Sequence, residues 1–587
     1  MKFFKKLILS TAACLLIFGA CSDDFLSPDP KSFFSPEAVY VDEAGFQALV
    51  TTMKSDLWND FYGYGHPIAM SHGISDLAVT MASADLRSHL TPNDQAAPWP
   101  TLDFFDDAYE YIRNANVLIS RIDAADLEPE VRDRFVAKAY FFRSYWFYRI
   151  VSTYGDVPWV GEEAEGAVLD YQTYSRTAIL DKLEQDLSWA EQRLESGRMT
   201  DGTITSAPVT HLLAKVYLAN LNFEEAEQTA TRLIQDPSFA LITQRFGTTA
   251  NDPVRNIQWD LHRSENKNLA GNTESLYTII GRNDAPPSAR SPSLYTNRQY
   301  SPSYWKILDS AGNRWCNWST PTGDTLGIGN ADVRTNHYWH YYIWEDDQHK
   351  WDTTPDERRG LEVNWVEMED IQGCHEGTPN FGEHFSMQYY GSLIDTFDTW
   401  YPWPQYKIFV ESPHSRLPVG DQGDWYLFRL AETYLIRAEA RYWQNNMGGA
   451  ADDINIIRER ANAPLITAGD VDIDYIMDER ARELYMEEAR HNELSRVAYI
   501  KASLNRSGYS LENFHENNWF HDRIMRVNDN YHQPEPIWRG EVAHIEPRHA
   551  LLPIPQRTIE ANTQGRINQN EGYDGAHRNQ PPVETID

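Results

Sequence analysis

The stretch that decides the fold runs from Trp425 to Pro464, WYLFRLAETYLIRAEARYWQNNMGGAADDINIIRERANAP. Leu427, Leu430, Ala431, Tyr434, Leu435 and Ala438 fall at i, i+3, i+4, i+7, i+8 and i+11, the spacing that lines one face of an α-helix. Asn445 to Gly449 breaks the pattern with residues that accept turn conformations. Ile454, Ile457 and Ala461 then resume it as a second helix, which stops ahead of Pro464 because proline cannot continue a helix. Two helices joined by a short break fold back as a hairpin. A third helix is expected over DERARELYMEEARHNELSRVAYI, with Asp478 as its cap.

The same design occurs earlier, in THLLAKVYLANLNFEEAEQTATRLIQDP from Thr210 to Pro237. Leu213, Ala214, Tyr217 and Ala226 sit at the spacing of a tetratricopeptide unit, and Pro237 closes it one place early. Small residues at Ala214 and Ala226 let two antiparallel helices approach, while Phe223, Ala226, Ala230 and Leu233 make one apolar stripe. Helical periodicity runs over about 37–257 and returns over 425–587. Between them, 258–424 is rich in Pro, Gly, Asn, Trp and Tyr, with little helical period. The expected class is mainly α: a tetratricopeptide-like hairpin scaffold carrying a loop-rich, aromatic-rich ligand-binding region.

Ahead of the scaffold, Lys2, Lys5 and Lys6 precede an apolar run from Leu7 to Ala20 that is short for a membrane span and has the layout of an export signal, removed from the folded protein. Ile17-Phe18-Gly19-Ala20-Cys21 resembles a bacterial lipobox, which marks Cys21 for acylation. Residues 21–36, with three prolines and three acidic residues, read as a tether. At 587 residues the chain has length for three or four units of about 150 residues, which helical repeats can fuse into one body. Lys and Arg number 52 against 86 Asp and Glu, a net charge of −34 that disfavours nucleic acid and anionic lipid as partners. Past Cys14 and Cys21 only Cys316 and Cys374 remain, so this is no disulfide scaffold, and spacing leaves open whether the two bridge.

Signatures of catalysis fail one by one. In HENNWFH, His515 and His521 are six apart and point about 240° from one another on a helix, so they share no metal. DVDIDYIMDE, from Asp470, imitates a calcium loop but has Tyr475 where glycine must turn and Ala481 where a bidentate Glu belongs. GYGHPI at Gly63 and GIGNAD at Gly327 each hold two of the three glycines of a dinucleotide loop. There is no phosphate loop ending Gly-Lys-Ser/Thr and no Gly-x-Ser-x-Gly elbow. No catalytic residue, metal or cofactor is expected.

What remains is aromatic surface. Ten of the 19 tryptophans lie from Trp305 to Trp425, and NHYWHYYIW, Asn336 to Trp344, holds five Trp and Tyr residues. As a strand it would project Tyr338, His340, Tyr342 and Trp344 to one side and Trp339, Tyr341 and Ile343 to the other. A single tryptophan more often packs in a core. So dense a set suits a sugar, whose apolar C–H face and hydroxylated rim match a flat ring with a polar handle. At on the order of 1 kcal/mol per stacked ring, three rings and a few hydrogen bonds give roughly 4–6 kcal/mol, a Kd of about 0.1–1 mM that favours polymeric ligands.

Five blocks in order resemble the SusD/RagB family of Bacteroidetes outer-membrane nutrient-binding lipoproteins. They are YIRNANVLISRI (Tyr111–Ile122), STYGDVPWV (Ser152–Val160), RLAETYLIRAEA, ERARELYMEEARHNEL and LLPIPQRTIEANTQGRINQNEGY. The chain departs from the family pattern at Asn562-Thr563, Glu571 and Glu493. The resemblance implies one body of four tetratricopeptide-like units with a loop-rich face that binds oligo- or polysaccharide without catalysis. It also implies a lipid anchor facing the cell exterior at the outer membrane and a SusC-like TonB-dependent transporter as partner. By the same analogy the site draws on early loops from Tyr62 to Trp99 and on the middle region. Trp305, Trp315, Trp318, Tyr338, Trp339 and Tyr341 would be its stacking rings, and Arg87 and Asn93 its hydrogen-bond donors to hydroxyls. Two rival readings are a glycoside hydrolase and a peptide-binding tetratricopeptide scaffold.

Overall fold

Four of the long helices begin where a short polar side chain holds a free N–H group. In the computed structural model, α1 (Glu43–Asp56) starts at Asp42, whose carboxylate accepts the Gly45 N–H at 2.9 Å. After α2 (Pro100–Arg121) and α3 (Pro129–Tyr154), α4 (Arg176–Glu191) is capped by Ser175. Then come α5 (Ser206–Ala219) and α6 (Phe223–Ile234), and the chain returns to long helices at α7 (Leu430–Trp443), α8 (Met447–Arg460), α9 (Ile473–Leu484) and α10 (Arg490–Ser503). Asn446 caps α8 by accepting the Gly449 N–H at 3.0 Å. The structure describes residues 39–80, 100–164, 166–281, 290–303, 306–309, 311–315, 329–361, 363–373, 377–385, 405–410, 420–534 and 542–587.

Successive helices pack in pairs from α2 to α6, and α6 packs on α7 although 195 residues separate their ends in sequence. The ladder of hairpins is therefore continuous in space across the loop-rich segment. That segment is cinched at its base by β2 (Ser275–Ile279) and β4 (Trp425–Arg429), which pair antiparallel. A smaller antiparallel pair, Ala78–Val79 (β1) with Arg334–Thr335 (β3), ties an early loop to the middle of the segment. Among the described residues no helix is long and apolar enough to cross a membrane.

Three local expectations are corrected. Leu427 lies in β4 and not on the helix that follows, because the β-favouring run Trp425 to Phe428 pairs with β2 before α7 begins at Leu430. The expected third helix is two helices. Asp472, not Asp478, caps α9 by accepting the Tyr475 N–H at 2.7 Å, and the helix ends at Leu484, with Met486 in the left-handed region at φ 68°. NHYWHYYIW is not a strand: Asn336 accepts the Trp339 N–H at 2.8 Å and starts a short helix, His337–His340, followed by a 3-10 turn, Tyr342–Trp344. Asparagine at a helix start outweighs the β preference of the rings behind it.

The interior is unusual for its charge. Glu483 is buried on α9 between Arg460 at 2.5 Å, Arg429 at 2.9 Å and Arg358 at 3.1 Å. Arg429 and Arg460 also share Glu274, the residue before β2, at 2.5 and 2.9 Å. One turn earlier Glu479 binds Arg358, Arg458 and Arg482. In a neighbouring cluster Arg480 reaches Glu432 and Glu488, Lys215 of α5 pairs with Glu432 and Glu493, and Arg496 takes both oxygens of Glu439 at 2.7 Å. Burying ions is costly, and the cost is offset only where charges alternate and nearly every donor has an acceptor. The alternation of Glu, Arg, Arg and Glu in DERARELY meets the first of these conditions, since each of these residues has partners of the opposite sign.

Two outcomes follow for stability. Glu483→Ala leaves three guanidiniums facing one another and is expected to cost about 3–5 kcal/mol in urea denaturation, whereas Arg113→Ala, from an exposed pair with Glu110, changes stability by less than about 0.5 kcal/mol. His72 and His491 are each pushed down to about 4 by burial, and the arginines around Glu479 and Glu483 overcome burial and hold both carboxylates well below the usual range. The buried histidines bind fewer protons than the unfolded chain below about pH 6.5, so their contribution is complete above that pH and is lost as pH falls towards 4. The carboxylates add a further loss below their unfolded value of 4.5. The urea midpoint should hold above pH 7, decline from about pH 6.5 and steepen below 4.5, with a shallower first decline in His72→Asn. A midpoint level from pH 7 to 5 would contradict this.

Candidate functional site

Three loops meet at the edge of the middle segment, and each is held by the backbone of the next. In the first, Gly63 and Gly65 take φ values of 93° and 74°, open at little cost only to glycine, and set Tyr64 between two reversals. The Gly63 N–H donates to Ser293 O at 2.7 Å and the Gly65 N–H to Gln299 Oε1 at 3.1 Å. Beside them the buried Tyr62 hydroxyl donates to Gly423 O at 2.6 Å. With both flanks fastened, the Tyr64 ring stays 45% exposed.

The second loop brings Tyr295, itself left-handed at φ 56°, edge-on to Tyr64 with ring centres 6.0 Å apart, and sets the Arg298 guanidinium 5.8 Å from the Tyr64 ring. The third loop returns against it: the Asn330 N–H donates to Arg298 O at 2.7 Å and the Ala331 N–H to Ser301 O at 3.0 Å. Gly329 makes that approach feasible, since a Cβ there would lie 2.0 Å from Ser301 O. Ala331 is also left-handed, at φ 48°. Strained backbone of this kind costs about 1–3 kcal/mol per residue and clusters at functional loops.

Polar groups complete the surface. Asn330 Nδ2 donates to Asp332 Oδ1 at 2.8 Å, and the Tyr64 hydroxyl faces the same carboxylate. Burial raises the Asp332 carboxyl, against the pull of Tyr64, Asn330, Arg298 and Arg334; burial and Asp332 together raise the Tyr64 hydroxyl. The hydroxyl therefore stays protonated at neutral pH. The arrangement offers a flat apolar face rimmed by hydroxyl, amide, carboxylate and guanidinium, which suits a hydroxylated ring with an apolar face.

Of the residues expected from sequence, Trp305, Trp318, Arg87 and Asn93 lie outside the described residues, as do Cys21, Cys316 and Cys374. Trp339 and Trp315 are 1% and 2% exposed and give no ring to a ligand, a correction. The short helix after Asn336 turns Trp339 inward, where it stacks on Tyr485 at 4.3 Å and meets Trp344 and Trp365, while Trp315 packs edge-on to Phe385. The area taken out of water favours that placement. Tyr338 is half-buried, and its hydroxyl donates to Asp478 Oδ2 at 2.7 Å. Tyr341 is half-buried and lies parallel to His337 at 5.9 Å and near Trp351 at 5.1 Å, next to Tyr342, which is 61% exposed. These rings form a second aromatic surface.

Tyr64, Tyr295, Arg298, Asn330 and Asp332 were not singled out by sequence. The signal was the pair of glycine-rich stretches GYGHPI and GIGNAD, which fail as phosphate loops yet supply Gly63, Gly65, Gly329, Asn330 and Asp332 to one surface.

A model described as the SusD family matches residues 262–573, and another described as starch-binding associating with outer membrane matches residues 25–218. The chain is 22% identical to SusD-like protein P25 of Formosa agariphila over 93% of its own length and 95% of that protein's. Over a quarter of its length it is 32% identical to the starch-binding protein SusD of Bacteroides thetaiotaomicron, 21% of which is covered. Among solved structures, surface glycan-binding protein A of B. thetaiotaomicron in complex with laminarihexaose superposes with a TM-score of 0.61 at 16% identity, over 90% of this chain and 99% of that one. The first of these matches spans more than half of the sequence, and the chain belongs to the SusD family.

Proposed function

We propose that the protein captures neutral oligo- or polysaccharide at the Tyr64–Tyr295 surface, without cleaving it, and hands it to a SusC-like TonB-dependent transporter while anchored to the outer membrane through an acylated Cys21. The observation that carries the reading is Tyr64: a phenol held 45% exposed between two positive-φ glycines, with Arg298, Asn330 and Asp332 around it. A ring is fixed in this way to present its face, because a free side chain would lose rotamer entropy on each binding event. Two similar proteins support the class of ligand, the starch-binding protein and the glycan-binding protein solved with laminarihexaose. Export and anchoring rest on the charged, apolar and small-residue order that ends at Cys21. Acylation at a single cysteine holds a protein on a membrane when more than one chain is attached.

Affinity electrophoresis against laminarin, starch and other neutral polysaccharides tests the site. Retardation by at least one of them is expected, with no release of reducing ends, and Tyr64→Ala and Tyr295→Ala should each weaken binding about five- to tenfold with an unchanged fold. Full affinity in both variants would refute the site, and turnover abolished by one Asp or Glu change would favour the hydrolase. Cys21→Ser should move the protein from the membrane to the soluble fraction on cell fractionation.

A further inference from the structure

The C-terminal tail builds a second cleft that shares no residue with the Tyr64 surface. It measures about 330 Å³ and opens between the end of α3, α10, the turn at 511–515 and the tail at 568–582. That volume is within the range of small-ligand sites, about 300–1,000 Å³. Its apolar side is made by Tyr499, Leu511 and Phe514, and Leu511 is 45% exposed.

The opposite wall is a rigid lattice of amides. Asn568 and Gln580 pair reciprocally, Asn568 Nδ2 donating to Gln580 O at 2.7 Å and the Gln580 N–H to Asn568 Oδ1 at 3.0 Å. Asn579 does the same with Gln569, and the Gln569 side chain is in turn clamped by both backbone groups of Ile554. Asn570 spends both amide hydrogens on carbonyls, Tyr154 O at 2.9 Å and Leu552 O at 2.7 Å. This fixes its amide orientation and leaves Oδ1 as an acceptor on the Gly155 side, where a Cβ at Gly155 would come within 3.8 Å of it. Among the described residues no hydrogen bond reaches that oxygen or the side-chain amide of Gln580.

The charged groups of the cleft are already hydrogen-bonded. Arg548 holds Glu546 at 2.8 Å and donates to Gly572 O at 2.6 Å, Glu571 accepts from Asn579, and Asp156 Oδ1 accepts the Arg176 N–H at 2.7 Å. The carboxylates of Asp156 and Glu571 disfavour an anionic ligand. A neutral ring with hydroxyl donors and an apolar face would meet preset acceptors on one side and Leu511, Phe514 and Tyr499 on the other.

We infer that this cleft is a second carbohydrate subsite, taking one or two neutral sugar units. The inference rests on the glycan-binding reading above and deepens it, since two separated subsites on one chain raise the avidity for a long polymer without either being tight.

Calorimetry and hydrogen–deuterium exchange with the hexasaccharide of whichever polysaccharide retards the protein, laminarihexaose first, test it on the full mature chain. Two binding events are expected for the native protein, with protection at 511–516 and 568–580 as well as at 62–66. Tyr64→Ala should keep protection at 511–516, while Leu511→Ala combined with Gln580→Ala, which breaks none of the tail's amide pairs, should weaken the second event at least about fivefold and leave the first unchanged. A single event abolished by Tyr64→Ala, with no protection at 511–516, would overturn the second subsite and leave the first reading standing. No binding of any hexasaccharide by the native protein would overturn both.

Discussion

Glu483 stands among three guanidiniums, and each belongs to a different part of the chain: Arg358 to the loop-rich segment, Arg429 to the strand that closes it and Arg460 to α8. Its position makes α9 the axis on which the segment and the hairpins agree. Hydrophobic packing alone is tolerant of small shifts between helices, whereas a buried carboxylate with three cations has one arrangement in which the charges cancel. The lattice also explains how an acidic protein carries so many buried arginines: those around α9 are neutralised locally.

The same constraint reaches the proposed binding surface through the early loop. Asp60 takes two guanidinium nitrogens of Arg149 on α3, and Asp76 is held by Arg490 and Arg523 at 2.8 and 2.6 Å, all buried. Tyr62 to Gly65 lie between these two anchors in sequence. A loop fixed at both ends by desolvated ion pairs, and stitched along its middle to Ser293, Gln299 and Gly423, can keep Tyr64 exposed without letting it collapse onto neighbouring apolar surface. Preorganisation of this kind is how a weak site spends little of its binding free energy on ordering itself.

The helical scaffold was legible because its signal is local. The apolar spacing of Leu430, Ala431, Leu435 and Ala438 and the break at Asn445 to Gly449 each act within a few residues, and α7 and α8 form there. What the periodicity did not separate was β4 from α7, since Leu427 fits both a helical face and a strand, and only pairing with Ser275–Ile279, 150 residues away, decides. The proposed binding surface was less legible. Trp339 and Trp315 drew attention by ring size, yet large rings are what a core under loops needs, and both are buried. Tyr64 looked unremarkable among many tyrosines, and its exposure depends on glycines and on contacts from residues more than 200 positions on.

The most direct measurement is a crystal structure of the mature protein with a bound neutral oligosaccharide. The account predicts a sugar ring whose C–H face lies about 4 Å from the Tyr64 ring, with its hydroxyls directed at Asn330, Asp332 and Arg298, and with the loops at 62–65 and 293–301 unmoved. A sugar seated elsewhere, with Tyr64 bare, or a Tyr64 loop that must rearrange to admit it, would contradict the account.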